Sequence, residues 1–158
     1  MPHRLTLIRH GKSSWRHEEL GDRFRPLSGR GYRQVTLVAS WLKTLPQPDH
    51  VLVSDAVRTY STAQMLAHDG AFGESAILLL PELYGADADT ILACCRKHPH
   101  KHLAVVAHNP GLEALLARLG HAKPMPSLAV AQLVWEGGWD NLSDVKLAHY
   151  ATPDMLQL

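Results

Sequence analysis

Short apolar runs alternate with stretches of helical periodicity four times along this chain. The four apolar runs are residues 5–8, 51–53, 77–80 and 103–107. Continuous apolar runs of this length are typical of parallel strands that are covered by helices on both faces. Because successive β-then-α units build a parallel sheet between two helical layers, the pattern predicts an α/β fold, a three-layer α/β/α sandwich.

Apolar stripes and capping residues set the expected limits of the helices. In the first helix, expected over 29–45, apolar residues recur at i, i+3, i+4 and i+7. A second helix is expected over about 56–68, and a third and a fourth follow the third and fourth strands. The expected caps of the first, third and fourth helices are Ser28, Asp87 and Asn109, with Pro110 at the first position of the fourth.

The last part of the chain has a different pattern. Residues 129–135 and 142–150 predict two strands joined across the glycine pair 137–138, and therefore a C-terminal antiparallel hairpin beside a mostly parallel sheet. A length of 158 residues is that of one domain, and the sequence contains no flexible linker. We therefore expect residues 1–158 to form a single domain.

Charge and composition exclude several classes of partner and location. Lys plus Arg is 16 and Asp plus Glu is 15, a balance that argues against nucleic-acid binding and against a polybasic membrane surface. No apolar run is long enough for a membrane span, and the N-terminus lacks a signal-peptide pattern. The only cysteines, Cys94 and Cys95, are adjacent and are expected in or near the core. Together these features predict a cytoplasmic protein.

Charged side chains follow all four predicted parallel strands. Arg9 and His10 follow the first, Arg58 comes soon after the second, Glu82 follows the third and His108 the fourth. Ligands of open α/β sheets bind at the carboxyl ends of the strands. Arginine binds phosphate through two parallel hydrogen bonds and a permanent charge, and helix N-termini add backbone donors. The sequence therefore predicts a phosphate site at this edge of the sheet.

Histidine is abundant, at 11 of 158 residues, which raises a metal site as an alternative. His98, His100 and His102 alternate before the fourth strand, but a zinc site needs further ligands elsewhere. We expect this segment to be an exposed connector. The interpretation as a metalloenzyme predicts that a chelator abolishes activity.

Several motifs in order along the chain resemble those of the histidine phosphatase superfamily, which has the phosphoglycerate-mutase-like fold. They are Arg9-His10-Gly11, Arg25-Pro26-Leu27-Ser28 with Gly31, Ser54-Asp55-Ala56-Val57-Arg58 with Thr62-Ala63, Pro81-Glu82-Leu83, and Val106-Ala107-His108-Asn109-Pro110-Gly111. With the short length, the pattern is similar to the SixA-type phosphohistidine phosphatases. The resemblance covers residues 4–135, about as far as the first strand of the hairpin.

The resemblance implies a role for each strand-end residue. His10 is implied as the nucleophile that forms a covalent phosphohistidine, and Arg9, Arg58 and His108 as its phosphate pocket. Glu82 is the best candidate for a general acid, and Asp22 and Glu18 are poorer ones. Lys12 and Ser13 are further candidates for phosphate contact. Arg25 is expected to fix its own loop rather than bind substrate.

The resemblance also implies the reaction and its substrate. Phosphoglycerate mutases carry a long helical insertion between the positions of Arg58 and Glu82, and this chain has no room for such a lid. An open site suits phosphohistidine on a signalling protein, with inorganic phosphate as product and neither cofactor nor metal. The sequence leaves two alternatives: a small-molecule phosphomonoesterase with the same site, and a non-catalytic module that binds phosphate or a protein.

Overall fold

The computed structural model describes residues 2–16 and 19–157, and it has a six-stranded sheet at its centre. The strands are β1 (His3–Arg9), β2 (His50–Ser54), β3 (Ile77–Leu80), β4 (His102–Ala107), β5 (Val130–Trp135) and β6 (Lys146–Ala151). Their order in the sheet is β3-β2-β4-β1-β5-β6. The first four are parallel, whereas β5 pairs antiparallel with both β1 and β6. This confirms the predicted mostly parallel sheet and its C-terminal antiparallel hairpin.

Helices cover both faces of the sheet. They are α1 (Gly29–Leu42), α2 (Val57–His68), α3 (Ala88–Lys97), α4 (Gly111–Arg118) and α5 (Pro153–Leu156). Side chains of α1 and α2 pack on one face and those of α3 and α4 on the other. Strand residues alternate between the two cores: Leu103 and Val105 lie with α3 and α4, whereas Val106 lies with α1 and α2. The three-layer α/β/α sandwich is therefore confirmed.

Two of the predicted helix starts are confirmed in detail. The side-chain oxygen of an N-cap residue accepts a hydrogen bond from a backbone N–H group of the first turn, which has no partner within the helix. Ser28 Oγ accepts from the backbone N–H of Gly31, and Asp87 Oδ1 accepts from that of Thr90. The α1 cap has a second role, because the Ser28 hydroxyl also donates to the carbonyl of Lys12. The start of α1 therefore holds the loop that follows β1.

Other boundaries differ from the predictions. Helix α1 ends at Leu42 rather than near residue 45, and α4 begins at Gly111 with Pro110 as its N-cap residue. Asn109 therefore lies one residue before the N-cap position, although its Oδ1 still accepts a hydrogen bond from the backbone N–H of Glu113 in the first turn of α4 at 3.3 Å. Its amide nitrogen donates to the Glu113 carboxylate and to the carbonyl of Met125. Strand β6 begins four residues later than predicted, at Lys146. Helix α5 was not predicted at all, since it is only one turn long.

The predicted exposed connector before β4 is partly wrong. His100 is exposed, but His102 is the first residue of β4 and is buried, with its Nε2 2.7 Å from the Thr6 hydroxyl. Within residues 2–16 and 19–157, no three or more His, Cys, Asp or Glu side chains converge in a group that could hold a metal ion. No helix in that part of the chain is long and apolar enough to cross a membrane. Cys94 and Cys95 are buried free thiols, as predicted.

Candidate active site

A polar cavity of about 340 Å³ lies where β1, β2 and β4 end. It is lined by Arg9, His10, Lys12, Ser13, Trp15, Arg25, Arg58, His108, Asn109 and Ser127. The charged residues among these are arginines and a lysine, and no carboxylate belongs to this described lining. Three adjacent parallel strands contribute to it, because their carboxyl ends meet at one edge of the sheet. The cavity is therefore suited to an anion.

His10 stands immediately after β1 and is 7% exposed. Its Nδ1 lies 2.7 Å from the carbonyl oxygen of Gly11. A carbonyl only accepts, so Nδ1 carries the proton, and the lone pair of the neutral ring is on Nε2. Burial, together with the nearby His108, Arg58 and Arg9, lowers the pKa of His10 to about 3, and the hydrogen bond to Gly11 opposes this shift. At neutral pH His10 is thus an uncharged imidazole with one nitrogen free to react.

The backbone around His10 is held by close contacts. The backbone N–H of Gly11 donates to the Thr62 hydroxyl, and a Cβ at Gly11 would lie 3.1 Å from a methyl of Leu27. The N–H of Leu128 donates to the carbonyls of both Arg9 and His10. Leu128 has a φ of 59°, a conformation that a leucine adopts only where its surroundings impose it. These contacts give the imidazole a defined position.

Two arginines that the sequence assigned to this site line the cavity. Arg9 Nη1 donates to the carbonyl of Met125 at 3.0 Å, and Arg58 donates to the carbonyl and the carboxylate of Asp22 at 2.7 and 3.0 Å. In both guanidinium groups Nε is buried and has no hydrogen-bond partner among the described residues. Buried donors of this kind stabilise an anion that reaches them, since their own desolvation is already complete.

His108 lies beside His10, with their ring centroids 5.3 Å apart. Its Nε2 is 2.7 Å from the hydroxyl of Ser54, at the end of β2, and its ring contacts the edge of Tyr84. Burial lowers the pKa of His108 to about 4, helped by Arg58 and opposed by Asp22. His108 is therefore neutral in this structure at pH 7.

Asp22 contacts three neighbouring side chains, Arg58 among them. Its Oδ2 accepts hydrogen bonds from the Tyr84 hydroxyl and from Arg58, and its Oδ1 from Arg25. The bond from Tyr84 and those from Arg58 lower the pKa of Asp22 to about 2. A carboxylate with this pKa is ionised at neutral pH, and its contacts hold it against Arg58. Asp55, three residues before Arg58 in the chain, pairs instead with Arg23 at 3.2 Å.

The remaining sequence candidates divide between the cavity and its surroundings. Lys12 and Ser13 line the cavity, as a phosphate-binding role would require. Glu82 lies in a 3-10 helix at Pro81–Leu83, is exposed and is not part of the cavity lining. The structure therefore does not bring it together with His10. Glu18 lies outside the described residues.

Four lining residues were not among the sequence candidates: Trp15, Arg25, Asn109 and Ser127. Trp15 and Arg25 are in the long loop after β1, where no periodicity marks a residue as inward-facing. Asn109 is adjacent to His108, and its strand-end position was the available signal. Ser127 precedes the strained Leu128 and had no signal in the sequence.

The comparisons with known proteins agree with this geometry. A sequence profile of the histidine phosphatase superfamily (branch 1) matches residues 5–83. An uncharacterised protein of Mycobacterium leprae is 30% identical over 152 residues, covering 85% of this chain and 91% of the relative. The chain belongs to the histidine phosphatase superfamily. That membership supports a phosphatase, and the matched residues include Arg9, His10 and Arg58.

Solved structures of SixA proteins show the fold of this superfamily member over nearly its whole length. The protein histidine phosphatase SixA in complex with tungstate superposes with a TM-score of 0.83 at 22% identity, covering 98% of this chain and 99% of that one. A candidate phosphohistidine phosphatase SixA from Nakamurella multipartitia gives 0.80 at 26% identity, covering 97% of each chain. The phosphoglycerate-mutase-like fold implied by the sequence motifs is thereby confirmed.

Proposed function

We propose that this protein is a phosphatase that hydrolyses phosphohistidine in a protein through a covalent phosphoryl intermediate on His10. The observation that carries the proposal is the state of His10: a buried neutral imidazole whose Nδ1 is held by Gly11, leaving Nε2 free among cationic groups. Phosphoryl transfer depends mainly on positioning and on stabilising charge on the oxygens of phosphorus. The cavity supplies both.

The first chemical step forms a bond between phosphorus and Nε2 of His10 and breaks the bond to the substrate nitrogen. The substrate ring leaves with the electron pair of that bond, as a neutral imidazole when its other nitrogen carries a proton. Arg9, Arg58 and His108 face the oxygens of the phosphoryl group as it transfers. Because a neutral imidazole leaves without a proton from the enzyme, the exposed position of Glu82 is compatible with this substrate.

The second step transfers the phosphoryl group to water. Water attacks phosphorus, the bond to Nε2 breaks, and inorganic phosphate is released with His10 again neutral. The attacking water leaves with its protons on the phosphate that it forms, and that phosphate gives up a proton to solvent at neutral pH, so this step needs no base from the enzyme. We therefore assign His108, whose ring centroid is 5.3 Å from that of His10, to phosphate binding.

The proposed substrate follows from the openness of the site. Between α2 and β3 the chain has only a turn and a 3-10 helix at Glu74–Ala76, and we therefore propose a single domain without a helical lid. Trp15, which lines the cavity, is 72% exposed, and Phe24 in the same loop is 59% exposed. A cavity of about 340 Å³ accommodates a phosphoryl group with part of a side chain, at the lower end of ligand-pocket sizes. A phosphorylated side chain on a protein surface fits such a site.

A substrate panel tests this proposal. Wild-type protein is incubated with a phosphohistidine-containing signalling domain and with simple phosphate esters, each with and without a chelator. We expect phosphate release from the phosphohistidine domain, insensitive to the chelator and faster than from the esters. Faster hydrolysis of the esters would favour the small-molecule phosphatase. Loss of activity with the chelator would indicate a metalloenzyme, and no phosphate release from any substrate would indicate a non-catalytic module.

The buried free thiols Cys94 and Cys95 support the proposed cytoplasmic location.

Phosphate binding is expected to raise the pKa of His108. In the empty site this pKa is about 4, and a bound dianion favours the imidazolium, so protonation moves toward neutral pH and binding takes up a proton. Imidazole NMR during a titration with inorganic phosphate measures the shift. His102 is the internal control: it is also buried, with a pKa of about 4, but contacts Thr6 and belongs to the opposite end of β4. An unchanged His108 pKa at saturating phosphate would contradict the assignment.

A further inference from the structure

Arg25, expected to fix its own loop, has a side chain that also reaches the cavity. It does bind within that loop, because Nε donates to Asp22 Oδ1 at 3.2 Å. However, Arg25 is only 9% exposed and its side chain lines the same cavity as His10. Its Nη1 is buried and has no hydrogen-bond partner among the described residues. A buried guanidinium donor without an acceptor is costly, which indicates that an anion completes the site.

Trp15 holds this guanidinium in place. The central carbon of the Arg25 guanidinium lies 3.5 Å from the centroid of the Trp15 ring, which is the geometry of a cation–π contact. Trp15 itself is 72% exposed, an unusual position for the largest apolar side chain. Packing against a hydrophobic core does not account for this exposed position. The contact with Arg25 does account for it, since stacking on the Trp15 ring restricts a long side chain that otherwise has many rotamers.

We propose that Arg25 is a third guanidinium that binds the transferring phosphoryl group, with Trp15 as the residue that positions it. This inference rests on the proposed function for the identity of the anion. The positions of the three arginines support it: Arg9, Arg25 and Arg58 line one cavity, and each has a buried nitrogen without a hydrogen-bond partner among the described residues. Three such groups match the three non-bridging oxygens of a phosphoryl group.

Calorimetric titration with inorganic phosphate tests the proposal on the full chain. We expect Arg25→Ala to raise the Kd for phosphate about ten- to a hundredfold, the effect of losing a charge-assisted hydrogen bond. The matched control is Arg16→Ala, an exposed arginine of the same loop, which leaves the Kd unchanged. Should Arg25→Ala fail to fold, Arg25→Lys keeps the charge but lacks the planar fork, and we expect it to weaken binding too. Wild-type affinity in either folded variant would overturn the proposal.

Two further variants separate direct binding from support of Arg58 through Asp22. If Arg25 acts only through Asp22, replacing it in an Asp22→Asn background no longer changes the Kd; we expect the loss to persist. Trp15→Phe retains a ring and should keep most of the affinity, whereas Trp15→Ala should lose part of it. Equal affinities of these two variants would overturn the role of Trp15.

The titration also distinguishes failure of this inference from failure of the proposed function. Phosphate binding requires no turnover, so an inactive wild-type protein whose Arg25→Ala variant binds phosphate more weakly would refute the reaction but not the Arg25 site. An active wild-type protein with an equally tight-binding Arg25→Ala variant would refute the Arg25 site alone.

Discussion

His10→Ala is expected to lower kcat/KM for the phosphohistidine substrate by at least about 10⁴-fold, because it removes the nucleophile on which both steps depend. Rapid quench of the wild-type protein should trap an acid-labile, base-stable phosphate, and the variant should trap none. Inorganic phosphate should still bind to the variant, since Arg9, Arg58 and His108 remain. This separation of binding from chemistry identifies a nucleophile rather than a binding residue.

The control for His10→Ala is His100→Ala, an exposed histidine before β4, at the opposite end of the sheet. It removes an imidazole of the same type and should retain the activity and the trapped phosphate. Thermal unfolding of both variants shows whether the buried ring of His10 is also needed for stability. Retention of turnover by a folded His10→Ala protein would disprove the covalent mechanism.

The parts of this site that the sequence predicts are those attached to the sheet. Arg9, His10 and His108 are within one residue of a parallel strand, and Arg58 is in the first turn of the helix after one. The apolar pattern fixes the strands, and the carboxyl ends of parallel strands necessarily meet. The same reasoning also nominated Glu82, but a strand-end position does not bring Glu82 to the cavity, because β3 is an edge strand away from its centre.

The parts that the sequence does not predict are in the loop after β1. Trp15, Asp22 and Arg25 have no periodicity, because a loop has no repeating face. Their positions depend on contacts with distant residues: Asp22 meets Arg58 and Tyr84, which are 36 and 62 residues away along the chain. Such contacts depend on tertiary packing, which local sequence does not encode.

Arg58→Lys should be the most damaging conservative substitution in the cavity. Arg58 is 6% exposed and its fork is held by the carbonyl and the carboxylate of Asp22. Lysine retains the charge but has neither the fixed fork nor the buried Nε donor, so we expect kcat/KM to fall about 10³-fold, within the range for arginines that stabilise phosphoryl transfer. The matched control is Arg33→Lys, an exposed arginine of α1, which should behave as wild type.

The Asp22→Asn variant tests whether the carboxylate of Asp22 positions Arg58. The asparagine still offers the backbone carbonyl to Arg58 Nη1, so part of the fork survives and we expect a loss of only about tenfold, mostly in kcat. If Asp22 positions Arg58, the acidic side of the pH–rate profile keeps its shape in the variant, because a carboxylate with a pKa of about 2 is ionised throughout the working range. If Asp22 were instead the acid, the variant would lose as much activity as Arg58→Lys and its pH profile would change. Steady-state kinetics of both variants between pH 5 and 8, the range in which histidine is the side chain that ordinarily titrates, distinguishes these two roles.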